Sequence, residues 1–340
     1  MPVAIDLGTS CFRSLREIDG KLMARRCPAV YLAVDDAPAE HRLLDQAAIP
    51  YLSCDEGLIV VGEPALELAQ IVKRPCIPLL PHGQLPQQDP LTRQVIAAVI
   101  ETLLPPGSGT ECATILPTAC GTAAALLDQQ MFFERLLRLR GYRPQVVSAG
   151  GAGILAGLGT SAFTGLSIAW GASGAMISIG HRGHIIGETT SALGGDWIDE
   201  HFARQSEQFL WDADGNQYLD RQSVAQWKKQ AAPSILNPQN RNEGLLTDLY
   251  REMLRDTLTQ GVKLCQKTPW AATLPKPLPL VCTGGPTRIN GFPILLRHLL
   301  QAVRFPLEIA EIRTLGEDEF ATARGSLIRV LINEPVAAAA

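Results

Sequence analysis

The sequence has no basic surplus, no long apolar run and no regular cysteine spacing, and each absence removes a class of function. Lysine and arginine number 30 against 34 acids, for a net charge of −4. No overall positive field would therefore draw in a nucleic acid or an anionic membrane. The strongest basic run, Arg135 to Arg143, is interleaved with leucine and fits the exposed side of an amphipathic helix. The most weakly polar stretch, Val147 to Ile179, is broken by glycine and serine. It falls short of the roughly 18 continuous apolar residues that mark a membrane helix. The eight cysteines, Cys11, Cys27, Cys54, Cys76, Cys112, Cys120, Cys265 and Cys282, include no C-x-x-C pair. Such scatter in a long chain fits reduced, mostly buried thiols and not a disulfide framework or a zinc site. His181 and His184 stand close together but have no cysteine or carboxylate at ligand spacing, so they read as hairpin residues. Asp212-x-Asp214-Gly215-Asn216 opens like a calcium loop but lacks the glutamate at the twelfth position, and an ordinary turn is expected. The N-terminus enters a strand with no basic leader or signal-like apolar stretch, so a cytoplasmic location is expected.

What is present is an alternation of strands, glycine turns and helices over 340 residues. Val3-Ala4-Ile5 is a short apolar strand, and a turn at Gly8-Thr9-Ser10 leads into a second strand through Phe12 to Ile18. Asp19-Gly20 is a hairpin signal. Strand-like runs follow at 29–34 and 58–61, with helical spacing over 64–72, 91–104 and 123–141. The small-residue segment 149–158 suits a tightly packed helix. The second half repeats the opening pattern: a strand over 166–170, a turn at Gly171 to Gly174, a strand over 175–179, and another over 184–188. Residues 197–270 are mostly helical, 278–282 is a buried strand, 292–303 a helix, and a last helix is expected from about Glu317 to Ile332.

Three glycine-bearing segments carry the chemistry. Asp6-Leu7-Gly8-Thr9-Ser10 ends one strand and turns directly into the next. Glycine lets the backbone approach a phosphate, successive N–H groups and the Thr9 and Ser10 hydroxyls can donate to its oxygens, and Asp6 can hold a hydrated Mg²⁺. Trp170-Gly171-Ala172-Ser173-Gly174 is the corresponding turn of the second half. Thr283-Gly284-Gly285-Pro286-Thr287-Arg288 follows an apolar strand, where paired glycines permit close passage of a base or ribose and Arg288 can lie on an adenine face.

In their order and spacing these segments resemble the ATPase superfamily of actin, MreB-type bacterial actins, sugar kinases and the nucleotide-binding domain of DnaK-type chaperones. Residues 4–10 look like its first phosphate loop and residues 170–179 occupy the place of its second. Residues 191–199 are similar to the chaperone segment that follows, Gly284 to Ile289 to the adenosine motif, and Glu319 to Leu327 to the closing helix. The resemblance implies an α/β actin-like ATPase fold, with two related lobes of mixed sheets flanked by helices around a central nucleotide cleft. Residues 1–160 would form the N-terminal lobe with the first phosphate loop. Residues 161–335 would form the C-terminal lobe with the second loop and the adenosine motif, the last helix packing back on the N-terminal lobe. It further implies ATP or ADP with Mg²⁺. Gly8, Thr9, Ser10, Gly171, Ser173 and Gly174 would lie on phosphate, Gly284, Gly285 and Arg288 around adenosine, and Asp6 would act as the metal-side carboxylate through a water.

Two departures bear on catalysis. Family members open the second loop with an aspartate, whereas Ala169 and Trp170 stand here, and Ser148-Ala149 replaces the Glu-Pro pair ahead of the small-residue helix. Phosphoryl transfer depends on metal placement and an oriented water, so the expectation is nucleotide binding with slow or absent hydrolysis, in a switch or assembly component with a protein partner or self-assembly. An active ATPase or kinase of the same fold and a nucleotide-free actin-like scaffold are the alternatives.

Overall fold

A computed structural model describes residues 2–55, 57–118, 121–212 and 214–333. The chain opens as a meander of β1 (Val3–Leu7), β2 (Cys11–Ile18) and β3 (Lys21–Pro28). Asp19 and Gly20, between β2 and β3, have φ of 51° and 74°, the backbone conformation a tight two-residue hairpin needs. Next come β4 (Val30–Val34), α1 (Pro38–Gln46), β5 (Tyr51–Cys54), β6 (Gly57–Val61), α2 (Glu63–Val72) and β7 (Ile77–Pro78). Their strands make a separate four-stranded sheet ordered β5-β6-β4-β7. The sequence reading lacks α1 and β5. Only Leu44 of α1 is buried, so no apolar stripe announces the helix.

The chain returns through α3 (Pro90–Leu103), β8 (Thr110–Ile115), α4 (Ala123–Leu139), β9 (Tyr142–Val146) and α5 (Ala149–Gly157). Three of these helices begin on a side-chain cap, with Asp89, Thr122 and Ser148 accepting from the N–H groups of Thr92, Ala125 and Gly151. The first sheet is ordered β3-β2-β1-β8-β9, antiparallel across β1, β2 and β3 and parallel across β1, β8 and β9.

The second half follows with β10 (Gly165–Trp170), β11 (Ala175–His181), β12 (His184–Ser191), α6 (Gly195–Gln205), β13 (Phe209–Trp211), β14 (Gln217–Leu219), α7 (Arg221–Gln230) and α8 (Arg241–Lys267). It closes with β15 (Leu278–Thr283), α9 (Phe292–Ala302), β16 (Ile309–Thr314) and α10 (Ala321–Asn333). This sheet is ordered β12-β11-β10-β15-β16 with the same pattern of directions as the first. The repeated strand–turn–strand grammar of the sequence is therefore a repeated topology, and each sheet places its glycine turn between its central strand and the antiparallel neighbour. The turn at Asp212 is an ordinary one. The Asp212 carboxylate accepts from the N–H groups of Asp214 and Asn216 and from the Tyr218 hydroxyl. The Asn216 side chain is the main cause of its lowered pKa.

Two helices tie the sheets together. Ala323, Leu327 and Val330 of α10 pack on Ala4, Leu15, Ala113 and Ile115 of the first sheet. The glycine-rich α5 lies on the second sheet, where a Cβ on Gly150 or Gly153 would run into the hydroxyls of Ser178 or Ser167. The helices meet where Gly325 of α10 presses against the Ala152 carbonyl of α5, with no room for a Cβ. α10 starts four residues later than the sequence pattern predicts, because Asp318 closes a turn by accepting from the Phe320 N–H at 2.9 Å.

Candidate functional site

The two glycine turns face each other across the space between the sheets. Thr9 Oγ1 and Ser173 Oγ lie 2.8 Å apart, and the Ser173 hydroxyl also contacts the Thr118 carbonyl at 2.6 Å. Among the described residues, the N–H groups of Thr9, Ser10, Ala172 and Ser173 have no hydrogen-bond partner, although every one sits in a turn beside this contact. Adjacent unpaired N–H groups in a turn form a concavity suited to an anion.

Each turn is braced from behind. In the first, the Cys11 N–H donates to the Gly8 carbonyl at 3.1 Å. In the second, the Gly171 N–H donates to the Gly174 carbonyl, while the N–H groups of Gly195 and Asp196 donate to the carbonyls of Gly171 and Ala172. The start of α6 thus holds the turn through its backbone. Gly194 has no space for a Cβ there, since one would overlap the Ala172 carbonyl. The Leu193-Gly194-Gly195-Asp196 sequence is accordingly a buttress of the turn. Burial raises the Asp196 carboxyl above the ordinary aspartate range, opposed by Arg221, Lys228 and His82.

Asp6 lies at the end of β1, buried beneath the first turn. Its Oδ2 accepts from the Thr322 hydroxyl at 2.6 Å and stands 4.0 Å from Arg13 Nη1. Desolvation raises its pKa, and Arg13, Thr322 and the Gly8 backbone pull it partly back. The carboxylate therefore also fastens α10 to the first sheet, a tie that sequence spacing does not reveal because its partner is 316 residues away.

The third segment borders the same region with a different balance of roles. Gly284 has φ of 98°, and a Cβ would overlap the Trp170 carbonyl, so only glycine fits where β15 leaves the sheet beside β10. A Cβ on Gly285 would meet nothing within 4 Å, which leaves an open approach at that residue. Arg288 is drawn aside: its Nε donates to the Gly316 carbonyl and its Nη1 lies 3.3 Å from Glu319, which also pairs with Arg26 of the first sheet at 2.9 Å. It forms a bridge between the two halves.

The departures from the motif also have structural consequences. Trp170 points into the second core, fully buried, edge-on to Phe292 at 5.1 Å and donating Nε1–H to Thr257. At the start of α5, where the sequence offers Ser148-Ala149, an acid arrives from elsewhere. Glu188 of β12 accepts from the hydroxyls of Ser148 and Ser178, each at 2.5 Å. No local motif signals Glu188, Thr118 or Thr322, since each is brought in by tertiary packing.

Among the described residues no group of three or more His, Cys, Asp or Glu is placed to hold a metal ion, and no helix is long and apolar enough to cross a membrane. Comparison with known proteins gives a coherent outcome. No curated protein matches the chain. The solved MamK double helical filament is similar, with a TM-score of 0.69 at 16% identity, covering 98% of this chain and 100% of that one. MreB5 of Spiroplasma citri bound to AMPPNP gives 0.65 at 11% identity, covering 97% and 96%. The ethanolamine utilization protein EutJ from Carboxydothermus hydrogenoformans gives 0.51 at 13%, covering 96% and 88%. At these identities the likeness is one of fold, and the fold is the actin-like ATPase fold expected from the three glycine segments. The family model for volactin matches residues 1–330, and the chain is a member of the volactin family with an actin-like architecture.

Proposed function

We propose that this protein binds ATP or ADP between its two glycine turns and acts as a switch or assembly component, with slow or absent hydrolysis. The observation that carries the reading is the pair of facing turns with unpaired N–H groups, joined by the Thr9–Ser173 contact. Gly8, Thr9, Ser10, Gly171, Ser173 and Gly174 would hold phosphate oxygens. Gly284 and Gly285 would pass beside the nucleoside, and Arg288 would border it if released from Glu319. Asp6 would hold Mg²⁺ through water, and the metal would supply charge neutralisation at the phosphates. Similar solved structures, MreB5 with AMPPNP and MreB5 with ADP, support a nucleotide, and the MamK filament supports self-assembly.

The geometry makes binding a mechanical event. A phosphate oxygen accepting from both hydroxyls at about 2.7 Å, with the two donors spread around it, sets them roughly 4–5 Å apart, against 2.8 Å between Thr9 Oγ1 and Ser173 Oγ. Nucleotide would therefore replace a direct contact between the two halves and reset their spacing. Slow hydrolysis follows from Trp170, which fills the acid's position with a side chain committed to the core. Losing one preorganised group commonly lowers a rate by ~10²–10³. Glu188 favours the alternative of an active ATPase, because it restores a carboxylate at the start of α5.

Titration with ATP and Mg²⁺, followed by thermal unfolding, tests the reading. At 100 times the dissociation constant the ligand adds about 2.7 kcal/mol, whereas a flat response would leave the nucleotide-free scaffold. Sedimentation with and without ATP tests assembly. Turnover at the pace of an ordinary active ATPase, lost in Glu188→Gln, would overturn the claim of slow or absent hydrolysis in favour of an active enzyme.

A further inference from the structure

A groove of about 1010 Å³ lies between α4 and the segment running from Pro81 to Gln87. α4 carries apolar residues on its outward side as well as its inward one. Phe133 and Leu137 are buried in the first core, but Met131 and Leu139, which line the groove, are 59% and 75% exposed. These two positions span about 12 Å of helix axis at 1.5 Å per residue. Exposed apolar residues gathered beside a groove mark a contact surface.

The charge around the groove has a positive excess. Arg93, Arg135 and Arg138 line it against Asp128 alone, in a chain whose overall charge is −4. Glu134 pairs with Arg138 at 2.5 Å, and the face keeps a positive excess with that acid counted. Arg135 has no ion-pair partner among the described residues. The Arg93 guanidinium lies 5.4 Å from the centre of the Phe132 ring. An apolar floor with a cationic rim is the complement of a helix bearing leucines on one face and carboxylates beside them.

The groove also adjoins the phosphate turns. Gln129 of α4 is buried, donates to the Gly83 carbonyl at 3.1 Å and accepts from the Leu85 N–H at 2.8 Å. Gly83, in turn, has no space for a Cβ beside Ser173 Oγ and the Thr118 carbonyl. One wall of the groove is thus a single residue layer from the contact between the two halves.

We propose that this groove is a docking site for an acidic amphipathic helix of a partner protein. It is independent of whether nucleotide binds. The test uses the full chain and a fluorescein-labelled 18-residue synthetic helix with leucine at every third or fourth position and glutamate on both flanks, followed by anisotropy. A peptide of the same pattern with lysine for glutamate serves as the control. The acidic peptide is expected to bind at least tenfold more tightly than the lysine one, and to lose at least tenfold in Arg135→Glu/Arg138→Glu and in Met131→Asp. Circular dichroism and the unfolding midpoint of the variants establish that they fold, and the surface positions make this the expected outcome. Equal binding of both peptides, no binding, or binding unchanged in the variants overturns the proposal. So does a result in which the variants alter only self-sedimentation, since the groove would then be covered by a second copy of this chain.

Discussion

The crossing of α5 and α10 allows one substitution to be set against itself. In an exposed helix, Gly→Ala stabilises by about 0.8–1.0 kcal/mol through propensity alone. Gly244, in α8, has nothing within 4 Å of where a Cβ would stand, so Gly244→Ala should gain close to that amount. Gly325, in α10, would drive its Cβ into the Ala152 carbonyl of α5. Both sides of that contact are backbone, and neither can rotate away. Overpacking of this kind costs about 1–3 kcal/mol, which exceeds the propensity gain, so Gly325→Ala should be net destabilising by up to about 2 kcal/mol. For 340 residues the unfolding entropy is about 0.7 kcal/mol/K, so 2 kcal/mol corresponds to roughly 3 °C in Tm. Urea midpoints and calorimetry on both variants measure the pair. If Gly325→Ala stabilises the protein as Gly244→Ala does, the helices do not meet backbone to backbone and the account of how α10 joins the halves is wrong.

Other consequences are equally direct. Burial raises Asp199 from 3.8 to about 6, with the Lys228 ammonium offsetting only part of the effect. The folded state keeps this proton after the unfolded chain has lost it, so the contribution is most favourable below about pH 4 and is lost as pH rises through about 6. Asp199→Asn removes that dependence, and its urea midpoint relative to the parent should climb between pH 4 and pH 7; a constant difference would refute the assignment. Ser173→Ala deletes the contacts to Thr9 and Thr118 and should cost about 1–2 kcal/mol, with faster amide exchange at Gly171, Gly195 and Asp196, whose N–H groups brace the turn; unchanged exchange would mean that the hydroxyl does not hold the turns together. Arg74→Ala breaks an exposed ion pair to Asp214. It should lower stability by less than about 1 kcal/mol, with the loss shrinking at high salt, and a salt-independent loss would point to packing instead.

Much of the fold was legible because its signals are local. Apolar strands broken by glycine at Gly8, Gly171 and Gly284 resemble the phosphate and adenosine segments of the actin-like ATPases, and the chain follows that reading in both sheets. α1 and β5 were not legible, because they bury few side chains and so leave no periodic trace. The residues of the candidate site divide along the same line. Turn chemistry points to Thr9, Ser173 and Gly284, whereas nothing adjacent in sequence marks Glu188, Thr118 and Thr322 or their partners. Arg288 shows the limit from the other side: its motif position suggests an adenine, while its actual neighbours are Gly316 and Glu319.

By itself, then, the sequence determined the three turns and the repeated strand–turn–strand units, because glycine placement and apolar runs act over a few residues. The tertiary structure decided that two of those turns touch through a pair of hydroxyls 164 residues apart. It also decided that Trp170 faces the core, that an acid reaches α5 from β12, and that a cationic groove stands one layer away. Those outcomes depend on which strands pair and how closely two helices cross, and no short-range pattern encodes either.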